Sequence, residues 1–140
     1  MLSNRFLRTA VVFFVIGVGF GMYMGITKDF RFTHVHAHLN LLGWVALGLA
    51  GLIYSAYPQL EEGLWADAHY WLHTIGLVLF MGGFAYGIVS GTFAIVPVSL
   101  GASMVATGVV VFAINVIARI GQRPQPAGAM NAAHANSARS

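Results

Sequence analysis

Three histidines at alternate positions, His34, His36 and His38, precede a long apolar stretch. In an extended segment, all three side chains would point to one side. A helix capped by Thr33 would instead stack residues four positions apart, His34 with His38 and His36 with Asn40. Either geometry leaves two imidazoles close together, and a neutral imidazole can ligate haem iron or copper. His38 begins the buried run and is the leading candidate for a cofactor ligand.

A second histidine pair, His69 and His73, lies further along the chain at a spacing of four residues. This spacing places both side chains on one face of a helix, as a bidentate metal clip or a cofactor pocket would require. Tyr70 and Trp71 are typical of an aromatic belt, which predicts that His69 lies at the membrane surface and that only His73 faces the interior. A zinc site here would need carboxylates from the preceding loop, which offers Glu61, Glu62 and Asp67.

These residues belong to a chain whose composition is that of a membrane protein. Of its 140 residues 58% are hydrophobic and only 8% are charged, against about 25% charged in soluble domains, and the mean hydropathy is +0.76. Four apolar windows reach the length of about 20 residues that spans a bilayer. We therefore predict an all-α, four-transmembrane-helix bundle in a domain at 1–120. The predicted spans are residues 7–26, 39–57, 70–89 and 93–118, followed by a disordered cytoplasmic tail at 121–140.

Charge distribution predicts the orientation of these spans. Four spans put both termini on one side of the membrane, together with most of the basic residues: Arg5, Arg8, Arg119, Arg123 and Arg139. The positive-inside rule then places both termini in the cytoplasm. We expect the membrane to be a bacterial-type inner membrane. In this topology the histidines at 34–38 lie at the outer surface and the pair at 69 and 73 at the inner end. The two groups are separated by roughly the thickness of the bilayer core and cannot share one metal ion.

Several functional classes are excluded or disfavoured. The absence of cysteine removes disulfides, thiolate metal sites and thioether-linked haem. No basic stripe with aromatic residues indicates nucleic-acid binding. No phosphate-binding glycine loop, nucleophile elbow or buried carboxylate pair is recognisable, so we assign no catalytic residue and expect a binding or redox role among membrane lipids.

The stretch HAHLNLLGWVALGLAGLIYSAYP at residues 36–58 resembles the second transmembrane helix of the haem-copper oxidase subunit I superfamily. In that family a histidine near the outer end of this helix is an axial ligand of the low-spin haem. The matching residue is His38, with His36 as the second choice. The resemblance implies haem b binding and respiratory electron transfer, with subunits of a respiratory complex as partners. It covers about one helix well, and the fourth predicted span has no histidine, so the resemblance does not extend to oxygen reduction or proton pumping.

The second axial ligand is left open by the sequence. One hypothesis is a homodimer in which His38 from both copies meets one haem. The alternatives within one chain are a His36/His38 arrangement, a five-coordinate haem, or Met22 or Met24 from the outer end of the first helix. A different function is also open. Those thioethers together with His34, His36 and His38 suit copper(I) and would make a copper-handling membrane protein, and the third option is an accessory subunit of a respiratory complex without a cofactor.

Glycines at four-residue spacing predict where the helices meet. One row is Gly17, Gly21 and Gly25 in the first helix, and the other is Gly83, Gly87 and Gly91 in the third. Small residues in such rows let two backbones approach closely in lipid. We expect both rows at helix contacts, where a flat macrocycle could also lie.

Overall fold

The computed structural model describes residues 1–121, and they form four long helices. These are α1 (Leu2–Thr27), α2 (Thr33–Ala56), α3 (Leu64–Ser90) and α4 (Ile95–Arg119), with a short 3₁₀ turn at Pro58–Leu60. Each helix is long and apolar enough to cross a membrane, and no strand occurs among the described residues. The prediction of an all-α four-helix membrane protein is confirmed. The predicted tail at 121–140 lies outside the described residues apart from Gly121.

The first three helices begin five or six residues before the predicted spans, at Leu2, Thr33 and Leu64. Hydropathy detects only the apolar part of a helix, whereas the backbone remains helical through the polar flank. The fourth helix instead begins at Ile95, after the start of its predicted span. Pro97 lies in its first turn, where the missing N–H of proline costs nothing. Pro97 therefore marks the start of this helix and does not kink its interior.

Neighbouring helices run in opposite directions and form two hairpins. At one end, which we call the inner end after the predicted topology, Glu61 and Glu62 of the α2–α3 loop contact the start of α1 and the end of α4. At the other, the outer end, α1 leads into α2 and α3 into α4 through short turns. The closest packing lies within each hairpin, between α1 and α2 and between α3 and α4.

Glycines allow the close approach of α3 and α4. A methyl group added at Gly101 would collide with the Phe80 backbone nitrogen, and one added at Gly76 would lie 2.9 Å from the Gly101 carbonyl oxygen. Side chains cannot be accommodated at such distances, so backbone packs directly on backbone. Neither Gly76 nor Gly101 belongs to the two rows predicted from sequence.

The predicted rows are only partly correct. Gly17 and Gly21 contact α2, and Gly83 and Gly87 contact α4 or the turn before it. The last member of each row makes no such contact: a methyl group at Gly25 or Gly91 would meet nothing within 4 Å. Gly91 instead ends α3 with a φ of 71°, a left-handed conformation that favours glycine.

Candidate functional site

The outer histidines lie in a helix, so the stacked geometry is the one that occurs. His34 and His38 face α3, with their rings 6.1 Å from the ring of Phe84 and 5.6 Å from that of Phe80, respectively. His36 faces α1 instead. The alternation along the sequence therefore separates the three histidines onto two sides of α2, since residues two apart on a helix point in nearly opposite directions.

Thr33 does not cap this helix as predicted. It is the first helical residue, and the residue before it, Phe32, occupies the cap position without a side-chain hydrogen bond. The Thr33 hydroxyl donates to the Phe30 carbonyl at 2.6 Å and lies 3.9 Å from the Met24 sulfur. The threonine thus ties the start of α2 to the end of α1 through the connecting turn.

His38 has the geometry of an oriented ligand. Its Nδ1 lies 2.8 Å from the His34 carbonyl oxygen, which can only accept, so Nδ1 carries the proton. In a neutral imidazole with this tautomer, the other ring nitrogen, Nε2, has the free lone pair. A metal-binding histidine commonly has one ring nitrogen fixed by a carbonyl and the other presented as the ligand. His38 is half-buried beside Phe80 of α3, so the ring is held in place and remains partly exposed.

His36 is enclosed between α1 and α2. Its Nδ1 donates to the Gly17 carbonyl at 2.8 Å, and its ring lies so close to Gly21 that an added methyl group would be 2.9 Å from Cε1. Asn40 fills the space over Gly17 and donates to the His36 carbonyl at 2.8 Å. The first two glycines of the α1 row therefore accommodate polar side chains of α2, and these occupy the space where a macrocycle could have been placed.

The outer histidines and methionines point in different directions in this arrangement. Within residues 1–121, no group of three or more histidine, cysteine, aspartate or glutamate side chains is arranged to hold a metal ion. Met24 is buried, with its sulfur near the Thr33 hydroxyl, whereas Met22 is 62% exposed. His34, His36, His38 and the two methionines thus lie at the same end of the bundle but on different faces of α1 and α2.

The inner histidines are both buried, at 2% exposure for His69 and 1% for His73. The prediction that only His73 faces the interior is wrong, because the His69 side chain is buried as well. Its Nδ1 is 3.1 Å from the Tyr54 hydroxyl, and its ring packs 5.0 Å from Phe6 and 4.8 Å from Phe112. The aromatic residues beside it in sequence do not report the environment of His69, because they occupy other faces of α3.

Tyr54 is a buried polar residue beside this pair that the histidine pattern does not identify. It is fully buried near the inner end of α2, and its hydroxyl pairs with His69 across the interface with α3. A tyrosine within an apolar span is a usable signal, because a buried hydroxyl needs a hydrogen-bonding partner. The partner itself is 15 residues away and cannot be identified from spacing.

His73 makes its hydrogen bond to the backbone of α2. Its Nε2 lies 3.0 Å from the Leu42 carbonyl oxygen, so Nε2 donates, while Nδ1 is buried without a partner in the described part of the chain. The ring of His69 packs against it at 5.5 Å. His73 is therefore held inside the bundle, and a large planar cofactor could reach Nδ1 only if the surrounding helices separated.

The acidic residues of the inner loop, and Asp67 in the first turn of α3, contact other groups than these histidines. Both Glu61 oxygens accept from the N–H groups of Leu2 and Ser3 at 3.0 Å. Glu62 and Asp67 pair with arginines, Glu62 with Arg119 at 3.8 Å and Asp67 with Arg5 at 3.9 Å. The carboxylates that a zinc site at His69 and His73 would need instead join the inner loop and the first turn of α3 to α1 and α4.

Comparison with known proteins shows a distant similarity to a respiratory oxidase subunit. The chain is 31% identical over 90 residues to the Cbb3-type cytochrome c oxidase subunit CcoN1 of Stutzerimonas stutzeri. The match covers 55% of this chain and 19% of the relative, so the chain spans about a fifth of that protein's length. No family model matches the chain, and no solved structure matches it. The similarity supports a distant and partial relationship to haem-copper oxidase subunit I and agrees with a respiratory membrane protein.

Proposed function

We propose that this chain is a haem-binding membrane protein of respiratory electron transfer, with His38 as an axial ligand. The observation that carries the proposal is the hydrogen bond from His38 Nδ1 to the His34 carbonyl, which orients the ring and frees Nε2. The similarity to an oxidase subunit supports it independently. A b-type haem bound there would supply a reversible one-electron redox centre.

The residues around His38 fit a haem on one side of the ring. His38 is half-buried, and Phe80 and Phe84 of α3 provide an aromatic wall along the face that it shares with His34. Apolar and aromatic side chains are the usual lining of a cofactor site, with few polar groups that fix its orientation. His36 lies on the opposite side of α2 against Gly17, so it is poorly placed to bind the same iron.

The second axial ligand is then not a histidine of the same chain. A homodimer whose axis lies along the membrane normal would bring two copies of His38 to one haem. The wider setting belongs to the same proposal: a bacterial inner membrane, both termini in the cytoplasm, and subunits of a respiratory complex as redox partners.

Optical spectra test the ligand directly. The protein would be purified in mild detergent after expression with ample haem, and spectra would be recorded oxidised and dithionite-reduced. We expect a sharp reduced alpha band that is lost in His38→Ala. His34→Ala is the matched control, because it removes a side chain from the same face and keeps the carbonyl that orients His38. Equal spectra in the two variants, or a colourless wild type, would refute the assignment.

Sedimentation in detergent tests the dimer separately. A haem-loaded dimer with one haem per two chains supports a ligand from each copy. A six-coordinate haem in a monomer would refute the shared site while leaving haem binding intact.

A copper-handling protein is the second candidate, and one observation favours it. The contact between Thr33 and the Met24 sulfur places a thioether beside the first turn of α2, which carries His34. Thioether and imidazole together suit copper(I). A colourless protein that binds copper(I), and loses this binding in Met24→Leu, would favour this function. A protein that binds neither haem nor copper would favour a cofactor-free accessory subunit.

A further inference from the structure

The central part of α2 is not an ordinary α-helix. Residues Leu39–Ala46 are π-helical, between α-helical segments at Thr33–His38 and Leu47–Ala56. In a π-helix each backbone hydrogen bond spans one residue more than in an α-helix, and such stretches are rare and occur mostly at functional sites. One extra residue turns the preceding segment by about 100° relative to an uninterrupted helix. The π stretch therefore determines which way the histidines at 34–38 face.

A side-chain hydrogen bond from α3 reaches this stretch of the α2 backbone. His73 of α3 donates through Nε2 to the carbonyl of Leu42, in the middle of the stretch, at 3.0 Å. Gly43, the next residue, packs so tightly that an added methyl group would lie 2.6 Å from the Phe13 Cβ of α1. Neighbours on two sides thus hold the widened turns, one through a hydrogen bond and the other through close packing.

We propose that His73 is a positioning residue: its hydrogen bond to Leu42 holds the π register of α2 and so directs His34 and His38 toward α3. Loss of the bond would let the stretch relax toward an α-helix. Each residue of the outer segment would then occupy the place of the residue before it. Val35 would move to the position of His34 beside Phe84, and Leu39 would replace His38 beside Phe80.

His73 is well anchored for this role. It is 1% exposed, and its ring contacts His69, which in turn pairs with Tyr54 of α2. The two histidines on one face of α3 therefore bind α2 at two heights, in the π stretch and near the inner end. Only the first of these contacts bears on the outer register, so the second provides the control.

Cross-linking measures the register without reference to a cofactor. The chain contains no cysteine, so single pairs can be introduced into the full-length protein. One pair is His34→Cys with Phe84→Cys, and the other is Val35→Cys with Phe84→Cys. Each is treated in membranes with a short thiol-specific bifunctional reagent. With His73 present, the first pair should cross-link faster; a faster second pair would overturn the proposal at once.

The His73→Phe variant then tests the hydrogen bond while keeping a ring at the site. We expect the ratio of the two cross-linking rates to shift toward the Val35 pair by about tenfold, the size typical of one lost hydrogen bond. His73→Gln, which keeps a donor, should restore most of the ratio. His69→Phe should leave it unchanged, because the Leu42 bond persists. An unchanged ratio in His73→Phe, or an equal shift in His69→Phe, would overturn the proposal.

If His73→Phe does not yield folded protein, His73→Leu and His73→Gln give the same comparison, since only the second keeps a donor. The consequence for haem rests on the proposed function: His73→Phe should weaken or shift the reduced alpha band as the register shifts. The two failures are distinguishable. Cross-linking that shifts in a colourless protein supports the role of His73 and refutes haem binding, and an unshifted register in a haem-loaded protein does the reverse.

Discussion

The start of α1 is capped by a glutamate from a distant loop, and this contact allows a quantitative test. The two oxygens of Glu61 accept from the backbone N–H groups of Leu2 and Ser3, both at 3.0 Å. These groups have no acceptor within the helix, because the first turn of any helix leaves its N–H groups unpaired. A carboxylate here also interacts favourably with the positive end of the helix dipole.

Replacing Glu61 with glutamine keeps one acceptor oxygen and removes the charge. Loss of one capping hydrogen bond costs about 1 kcal/mol, and loss of a favourable charge at a helix N-terminus about 0.3–1 kcal/mol more. We therefore expect Glu61→Gln to lower the free energy of unfolding by about 1–2 kcal/mol near neutral pH. The matched control is Glu62→Gln. The Glu62 carboxylate is exposed and makes a long ion pair of 3.8 Å with Arg119. That variant should change stability by less than about 0.5 kcal/mol.

The pH dependence gives the sign. Burial raises the pKa of Glu61, but hydrogen bonds from Ser3 and Leu2 outweigh burial and leave it below its usual value. A carboxyl group whose pKa is lowered in the folded state stabilises the fold above its unfolded pKa of about 4.3. This stabilisation is lost as the pH falls through the lower folded-state value. Wild type and Glu61→Gln should therefore differ near neutral pH and converge in acid.

The assay is unfolding by increasing mole fraction of a denaturing detergent, followed by circular dichroism at about pH 7 and at about pH 3. Both variants and wild type are compared at each pH. A Glu61→Gln effect no larger than that of Glu62→Gln would refute the capping argument. So would a difference from wild type that persists unchanged in acid.

Two further predictions concern contacts between helices. Gly101→Leu should separate α3 from α4 and destabilise the protein by more than about 2 kcal/mol, because the leucine side chain would collide with the Phe80 backbone. Gly82→Leu is the control. An added methyl group there meets nothing within 4 Å, so this variant should be nearly neutral in the same unfolding assay. Tyr54→Phe removes the hydroxyl that pairs with His69, and a double-mutant cycle with His69→Phe should give a coupling energy of about 0.6–1.7 kcal/mol, as for hydrogen bonds between membrane helices; a coupling near zero would contradict the pairing.

The fold could be predicted from sequence because crossing a bilayer imposes one strong requirement, a long apolar segment, and four such segments are evident. The depth and partners of individual side chains could not. The aromatic neighbours of His69 predict a position at the membrane surface, yet its side chain pairs with Tyr54 inside the bundle. In an apolar helix all faces look alike in sequence, so hydrophobic periodicity does not show which face meets another helix. The backbone contacts at Gly76 and Gly101 cannot be predicted for the same reason.

The π stretch of α2 is a second feature that sequence could not supply, and it changes how the histidine motif is understood. An ideal α-helix would have fixed the relation between the outer histidines and Tyr54 by residue count alone. With Leu39–Ala46 π-helical, that relation depends on contacts with other helices, at Leu42 from His73 and at Gly43 from Phe13. The orientation of His38 is therefore a property of the assembled bundle. A peptide containing only residues 33–56 would keep the motif and should lose this orientation, because neither His73 nor Phe13 belongs to it.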